Sequence, residues 1–233
     1  MSYSYEDIPT MYSRKSLFFA VLLLWVVVAV VFVGNAVWRN EMTNGTNTLR
    51  SVEIREYEGQ ELSSIDDFRE NSIIGPQFVE NESYSLVVTG LVNNEMEYTY
   101  GDVVSDHQLF KKVVTLHCVE GWDVTILWEG VLVKDLIEET GVDSRAKVVI
   151  FYAYDGYSTS LPLDYIINND ILIAYKMNDV VLPPERGFPF QLVAESKYGY
   201  KWIKWITEIE LSDNVDYRGY WESRGFSDDA DLP

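Results

Sequence analysis

The stretch Val113-Val114-Thr115-Leu116-His117-Cys118-Val119-Glu120-Gly121-Trp122 contains the single cysteine of the 233-residue chain. Its first four residues are β-branched or aliphatic, which predicts a short buried strand, and Gly121 is a residue that ends such a run. Cys118 is therefore predicted to lie at the end of a strand. A lone thiol is either a buried small hydrophobic group or a reactive group, such as a nucleophile or a metal ligand. The polar and aromatic residues on both sides of Cys118 favour the reactive group.

Length and charge limit the classes to which the protein can belong. With 233 residues the chain has room for one substantial domain after its N-terminal segment. Its 18 basic and 37 acidic residues give a formal net charge of -19, which repels nucleic acid and anionic lipid. This charge excludes nucleic acid as a partner. One cysteine cannot form an internal disulfide, so it does not indicate the redox compartment.

Residues 16–38 contain no charged side chain and are almost wholly apolar from position 17 to position 33. An apolar run of this length is sufficient to span a bilayer as one transmembrane helix. The alternative is a signal peptide, whose apolar core is usually about 7–15 residues long before a cleavage site. The longer run favours an uncleaved membrane anchor.

The charges that flank this span predict its orientation. Arg14 and Lys15 precede it closely, whereas Arg39 alone follows it, so the positive-inside bias places residues 1–15 in the cytoplasm. The catalytic domain is then expected on the extracytoplasmic side of the cell membrane. Residues 39–50 are polar without an apolar period and are predicted to form a flexible tether.

Residues 51–228 are predicted to form one β-rich α+β domain. Apolar residues at helical spacing predict a helix over residues 133–141, with Gly141 where a C-cap requires left-handed dihedrals. The acidic end, residues 229–233, is predicted to be a solvated tail. Runs of β-branched and aromatic residues predict strands at residues 84–92, 113–116, 147–154, 171–175, 190–194 and 205–211.

Six motifs occur in order along this domain. They are HCVEGW at 117–122, ILWEGV at 126–131, DGYSTSLP at 155–162, LPPERGFP at 182–189, KYGYKWIKW at 197–205 and GYWESRGF at 219–226. Together they are similar to the signature of the molybdopterin-dependent oxidoreductases of the sulfite oxidase superfamily. The resemblance extends over most of the predicted domain and implies a sulfite-oxidase-type molybdopterin-binding fold.

The resemblance implies that Cys118 is the thiolate ligand of molybdenum. In that family the metal is also held by the two dithiolene sulfurs of molybdopterin and by oxo groups. A soft thiolate suits a sulfur-rich site, and it must be deprotonated to bind. Tyr157 aligns with a tyrosine that lines the substrate pocket, so the resemblance gives it the role of orienting the substrate through its hydroxyl. The alternative for Tyr157 is a core aromatic residue.

The phosphate of molybdopterin requires local positive charge in an acidic protein. The resemblance implies cofactor contacts by Gly199, Tyr200 and Lys201, with Gly199 allowing close approach of the backbone and Lys201 meeting the phosphate as a point charge. The alternative is that these lysines form the solvated face of a strand. Residues 186–204 have a net charge of +3, from Arg186, Lys197, Lys201 and Lys204 against Glu195.

Four other residues are implied as cofactor contacts: Asn71, His117, Arg186 and Gln191. Asn71 lies in a segment of the kind that contacts the pterin in the family, and a simple turn residue is the alternative. His117 precedes the metal ligand directly. Relatives commonly have histidine in place of Arg186 and arginine in place of Gln191. The second difference removes a positive charge and its bidentate contact with phosphate or pterin. Arg186, five positions earlier, can restore the charge.

The leading hypothesis is a membrane-anchored molybdenum oxidoreductase that transfers an oxygen atom to or from a small substrate. Sulfite oxidases place arginines soon after the ligand cysteine, whereas this chain has Val119-Glu120-Gly121-Trp122-Asp123, which resembles the periplasmic methionine-sulfoxide reductase branch. Negative charge there repels sulfite, so reduction of a neutral S-oxide or N-oxide is favoured over sulfite oxidation. A binding or assembly module that has lost the cofactor is the alternative from another class.

Electrons must reach the site from another protein. The chain has no Cys-x-x-Cys-His haem motif and lacks the cysteines that an iron–sulfur cluster requires. A separate electron carrier or a membrane haem subunit is therefore the expected partner. The dimerising C-terminal extension of sulfite oxidases has no counterpart in this sequence, which predicts a monomeric catalytic domain.

Overall fold

The computed structural model describes residues 52–233. The predicted cytoplasmic segment, membrane anchor and tether all lie outside the described residues. Between Val52 and Pro233, no helix is both long enough and apolar enough to cross a membrane.

The described residues contain twelve strands, three α-helices and several short 3-10 helices. The α-helices are α1 (Tyr100–Asp106), α2 (Val133–Glu139) and α3 (Leu163–Asn168). The 3-10 helices are Ile65–Asp67, Asn81–Ser83, Pro184–Arg186, Gly199–Lys201 and Glu222–Arg224. The strands are β1 (Glu56–Tyr57), β2 (Gln60–Glu61), β3 (Ser85–Gly90), β4 (Met96–Thr99), β5 (Phe110–His117), β6 (Asp123–Leu132), β7 (Val148–Ala153), β8 (Ser158–Pro162), β9 (Leu172–Met177), β10 (Val180–Val181), β11 (Gln191–Val193) and β12 (Ile206–Ser212).

These elements confirm the predicted β-rich α+β class. Each of the six predicted strands overlaps an observed strand, namely β3, β5, β7, β9, β11 and β12. The predicted helix is α2, and Gly141 follows it with a φ of +69°. The sequence did not predict β6, the ten-residue strand after the cysteine turn, because Glu129 and Gly130 interrupt its apolar run. A buried charge and a glycine argue against a strand locally, and both are accommodated only by the neighbouring strands.

The cysteine lies on an antiparallel sheet. Among the described residues, β5 pairs with β6, β6 with β9, and β9 with both β10 and β11. Gly130 is required where β6 pairs closely with β9, because a Cβ atom there would lie 2.1 Å from the carbonyl oxygen of Ile173. The pairing shifts register between Glu129 and Gly130. This close pairing fixes β6 against β9, and β6 in turn fixes the position of β5 and of the cysteine at its end.

A second sheet lies on the other side of the core. In residues 52–233 its strand order is β4-β3-β12-β7-β8, with β3 and β12 parallel and the other neighbours antiparallel. Leu116 and Val131 from the first sheet and Phe151 and Ile209 from the second belong to one hydrophobic cluster. Burial of this shared apolar surface joins the two sheets.

The prediction of a solvated acidic tail is wrong for residues 230–232. Ala230 is buried, and its carbonyl oxygen accepts a hydrogen bond of 2.8 Å from the backbone N–H of Tyr198. Asp231 forms an ion pair with Lys197. The backbone bonds and the ion pair attach the acidic end to the body of the domain, which charge composition alone did not indicate.

Candidate active site

Cys118 borders a cavity of about 420 Å³. β5 ends at His117, and the chain then turns: the Cys118 N–H donates to the Trp122 carbonyl at 2.9 Å, and the Gly121 N–H donates to the Cys118 carbonyl at 3.0 Å. Gly121 has a φ of +83°, which a glycine adopts without strain. The predicted position of the cysteine at a strand end is confirmed, and the turn points the thiol into the cavity.

The thiol of Cys118 is buried and electrostatically influenced from two sides. Burial raises its pKa, and the charge of Glu120 acts in the same direction, whereas a hydrogen bond from the Glu120 backbone, the Asn71 amide and the charge of Arg69 lower the pKa. The side-chain amide of Asn71 lies 3.9 Å from Cys118 Sγ and donates a hydrogen bond to it. Asn71, predicted only from the resemblance, is therefore adjacent to the predicted metal ligand.

Residues 68–73 form one wall of the cavity without regular secondary structure. Phe68, Arg69, Asn71, Ser72 and Ile73 all line it. The wall is attached across the cavity, because Arg186 Nη2 donates to the Phe68 carbonyl at 3.2 Å and its guanidinium carbon lies 5.0 Å from the centre of the Phe68 ring. This segment and the loop before β11 are thus brought together on the two sides of one site.

Two cations, Arg186 and Lys204, line the same part of the cavity. Lys204 Nζ donates to the two carboxylate oxygens of Glu70 at 3.2 and 3.3 Å, and Arg186 Nη1 lies 4.0 Å from Glu70. Burial lowers the pKa of both cations. Arg186 Nε is buried without a hydrogen-bond partner among residues 52–233. An anion at this end of the cavity would gain two charged donors and a buried N–H.

Gln191 and Gly199 complete this side of the cavity. Gln191 is buried at the start of β11 and lines the cavity. Gly199 also lines it, and a Cβ atom there would come within 3.2 Å of the Leu116 side chain and 3.4 Å of the His117 carbonyl. Gly199 is thus packed closely against β5, and its predicted role of letting the backbone approach the cofactor stays a prediction.

Two predicted cofactor contacts do not line the cavity. Lys201 is fully buried, and its Nζ forms an ion pair with Glu222 and donates to the Ser160 carbonyl at 2.9 Å. Buried partners thus occupy Lys201 Nζ, and Lys201 does not line the cavity, contrary to its predicted role at the phosphate. His117 is likewise absent from the cavity lining among the described residues. Lys204, three residues after Lys201, supplies the lysine charge instead.

Tyr157 lines the cavity as predicted and is held by its own hydroxyl. The hydroxyl donates to the Tyr200 carbonyl at 2.5 Å, and Tyr200 also lines the cavity. Burial raises the pKa of Tyr157 well above the ordinary value, so the phenol stays protonated at neutral pH. The same oxygen retains lone pairs that can accept a hydrogen bond from a bound substrate.

Sequence reasoning missed several residues of the site. Arg69, Glu70 and Asp155 lie in or beside the cavity, and Asp155 accepts a hydrogen bond of 2.9 Å from the Tyr157 backbone N–H. Lys204 lies in the basic region of the sequence, which does not by itself indicate a role at the cavity. Arg69 and Glu70 form a charged pair just before Asn71 in the sequence. No local pattern distinguishes this pair from two solvated side chains.

The arrangement fits a molybdopterin cofactor. Cys118 offers one soft ligand, Arg186 and Lys204 offer charge for a phosphate, and Gln191 offers an amide on the same wall. Within residues 52–233, no group of three or more His, Cys, Asp or Glu side chains could hold a metal ion. The cofactor supplies two-electron chemistry at molybdenum, and the protein supplies binding, orientation and electrostatics.

Comparisons with known proteins agree with this site. The family model described as the oxidoreductase molybdopterin binding domain matches residues 74–221. The "Uncharacterized oxidoreductase YuiH" of Bacillus subtilis is 34% identical over 65% of this chain and 76% of its own length. The sulfane dehydrogenase SoxCD of Paracoccus pantotrophus has a similar fold, with a TM-score of 0.59 and 21% identity over 62% of this chain and 42% of that chain.

Two relatives are named for methionine sulfoxide. The "Putative protein-methionine-sulfoxide reductase subunit YedZ1" of Azospira oryzae is 31% identical over 64% of this chain and 56% of its own length. The catalytic subunit MsrP of Pseudomonas syringae is 28% identical over 57% of this chain and 44% of its own length. The chain thus spans about half the length of these two relatives. Because the family model covers more than half of the chain, the chain belongs to the molybdopterin-binding oxidoreductases of the sulfite oxidase family and is an enzyme that uses molybdenum with molybdopterin.

Proposed function

We propose that the enzyme reduces a neutral organic S-oxide, with N-oxides as the next candidate class. The main observation is that the acidic residue Glu120 lines the cavity and acts electrostatically on the Cys118 thiol. Its Oε2 accepts a hydrogen bond of 3.2 Å from Trp122 Nε1. A negative charge held beside the metal ligand repels the sulfite dianion and leaves a neutral oxide unaffected. Two relatives are named as methionine-sulfoxide reductase subunits, which supports the same class of substrate.

The reaction requires one two-electron step. An S-oxide, two electrons and two protons give a thioether and water, so the protein must position the oxide and admit protons. Tyr157 lines the cavity, and its single hydroxyl proton is donated to the Tyr200 carbonyl. It therefore contributes its ring to the position of the substrate, and not a hydrogen bond to the oxide oxygen, which only accepts. Arg186 and Lys204 are placed to hold the cofactor through its phosphate.

Sulfite oxidation is the second candidate, and Arg69 is the observation that favours it. Arg69 lines the cavity and acts electrostatically on Cys118 in the direction opposite to Glu120. A cation at this position would attract an oxyanion. Glu120 and Arg69 therefore oppose each other, and the balance between them decides the preferred substrate.

Paired assays distinguish the two candidates. One assay supplies methionine sulfoxide and a reduced viologen dye, and the other supplies sulfite and ferricyanide. We expect faster reduction of the sulfoxide than oxidation of sulfite by the same preparation. Rapid sulfite oxidation with negligible sulfoxide reduction would refute the proposal and leave the molybdenum assignment intact. Glu120→Gln should raise the relative rate with sulfite, because it removes the repelling charge.

We also propose that a separate electron carrier or membrane haem subunit delivers the electrons. The sequence contains one cysteine and no haem attachment motif, and two relatives are named as subunits. The apolar residues 16–38 support a membrane anchor with the catalytic domain on the extracytoplasmic side. Protease added to intact spheroplasts should then remove the domain, and complete protection would contradict this orientation.

A further inference from the structure

Five aromatic side chains form a closed wall on the cavity: Tyr157, Tyr200, Phe226, Trp221 and Tyr220. The ring centres of neighbouring members lie 5.1–5.6 Å apart from Tyr157 through Tyr220, Trp221 and Phe226 to Tyr200. The hydrogen bond from the Tyr157 hydroxyl to the Tyr200 carbonyl closes the circuit. We call these five residues the aromatic wall.

The aromatic wall comes from three separate segments of the chain. Tyr157 precedes β8, Tyr200 lies in the 3-10 helix Gly199–Lys201, and the other three flank the 3-10 helix Glu222–Arg224. The last of these segments is bonded to the other two. The Tyr220 N–H donates to the Ser158 carbonyl at 2.9 Å, the Tyr217 hydroxyl donates to Ser158 Oγ at 2.8 Å, and the Tyr200 hydroxyl donates to the Ser227 carbonyl at 3.0 Å. One further interaction reaches all three segments at once and adds to these contacts.

That interaction lies directly behind the wall. Lys201, next to Tyr200, forms an ion pair with Glu222, next to Trp221, and both side chains are only 1% exposed. Lys201 Nζ also donates to the Ser160 carbonyl, and Thr159 Oγ1 donates to Glu222 Oε1 at 2.6 Å. The pair therefore connects all three segments at a single buried point.

A buried ion pair is a weak source of stability, because desolvation of the two charges offsets their attraction. Glu222 Oε2 is in addition buried without a hydrogen-bond partner among the described residues. An apolar pair of the same volume would fill the space without these costs. The ion pair instead provides geometric specificity, because its hydrogen bonds permit one arrangement of the segments that contain Lys201 and Glu222.

We infer that Lys201 and Glu222 are positioning residues that hold the aromatic wall in the geometry required to bind the organic part of the substrate. The inference rests on the proposed function and narrows its substrate to S-oxides with apolar substituents. Aromatic rings provide favourable contacts for sulfur and for apolar groups. None of the five wall side chains carries a charge at neutral pH, so the wall offers little to a small oxyanion.

The test compares two double variants in the full-length holoenzyme. Lys201→Met/Glu222→Gln removes both charges, preserves the volume and retains the oxygen that accepts from Thr159. Lys134→Met/Asp170→Asn is the matched control, because it removes an ion pair of 2.9 Å on the surface, behind no part of the cavity. Thr159→Val removes one hydrogen bond of the buried pair and serves as the milder variant if the first double variant does not fold.

Two measurements are made on each protein that folds and contains molybdenum. For the positioning variant, we expect KM for an aryl methyl sulfoxide to rise at least about tenfold while kcat changes less, because a misplaced binding surface loses substrate affinity first. Hydrogen exchange at the amides of Tyr220 and Arg224 should be faster by at least about tenfold. Thr159→Val should shift both quantities in the same direction by less.

The possible failures are distinct. Unchanged KM and unchanged hydrogen exchange in the positioning variant, relative to the surface control, would overturn the inference. A fall in kcat and molybdenum content with unchanged KM would also overturn it, because the pair would then serve the cofactor. A wild-type enzyme that reduces no S-oxide refutes the proposed function instead. In that case KM is measured with sulfite and ferricyanide. If the aromatic wall binds only organic substrates, the positioning variant should show an unchanged KM for sulfite and faster hydrogen exchange.

Discussion

Lys204, rather than Lys201, is expected to bind the phosphate of the cofactor. Its Nζ lies on the cavity and is paired with Glu70 at 3.2 and 3.3 Å. A charged hydrogen bond contributes about 1.5–3 kcal/mol net. Lys204→Met should therefore weaken cofactor binding by roughly 10- to 150-fold, since about 1.4 kcal/mol corresponds to a factor of ten.

Glu70 gives the prediction an effect of opposite sign. Two like charges that share one lysine as a partner repel each other by on the order of 3 kcal/mol at an effective dielectric constant of about 20. The Glu70 side chain is 33% exposed, and screening reduces the effect to about 1 kcal/mol. Glu70→Gln should then strengthen cofactor binding by about fivefold. A purely structural ion pair would instead lose function in both variants.

The assay measures molybdenum per protein by mass spectrometry, and pterin by fluorescence, in proteins purified from cells given limiting molybdate. Circular dichroism confirms that each variant is folded. Lys134→Met is the control, because Lys134 pairs with Asp170 at 2.9 Å on the surface. Equal cofactor content in the Lys204 and Lys134 variants would refute the reasoning. An equal loss in the Lys204 and Glu70 variants would refute it as well.

Three other predictions concern Cys118, Gly130 and Asp155. Cys118→Ser should abolish redox-active molybdenum but leave the circular dichroism spectrum unchanged, and a fully active serine variant would contradict the ligand assignment. Gly130→Ala should lower the free energy of unfolding by about 1–3 kcal/mol, because the new Cβ would lie 2.1 Å from the Ile173 carbonyl. Urea unfolding measures this change. An unchanged midpoint would contradict the close pairing of β6 and β9. Burial raises the pKa of Asp155, so its ionisation destabilises the folded state as the pH rises from the ordinary aspartate pKa through the raised one. Asp155→Asn keeps the acceptor for the Tyr157 N–H and should raise Tm at neutral pH, with the difference disappearing below the ordinary pKa; a difference that grows in acid would contradict this sign.

Local sequence determined the position of the cysteine and most of the secondary structure. The apolar run before His117, followed by Gly121, was sufficient to place Cys118 at a strand end, because strand and turn preferences act over a few residues. Helix α2 and its glycine cap were predictable for the same reason. The family could be identified because each motif keeps its own short spacing. The preference for an S-oxide rests on Glu120 beside the ligand and stays a prediction.

Only the tertiary structure decided which charged side chains face the cavity. Lys201 and Lys204 have the same chemistry and lie in one motif, yet one is paired with Glu222, 21 residues away, and the other with Glu70, 134 residues away. The acidic end near Asp231 is docked rather than solvated for the same kind of reason. Side-chain direction in irregular segments is set by distant partners that compete for each charge, and the local pattern contains no information about them.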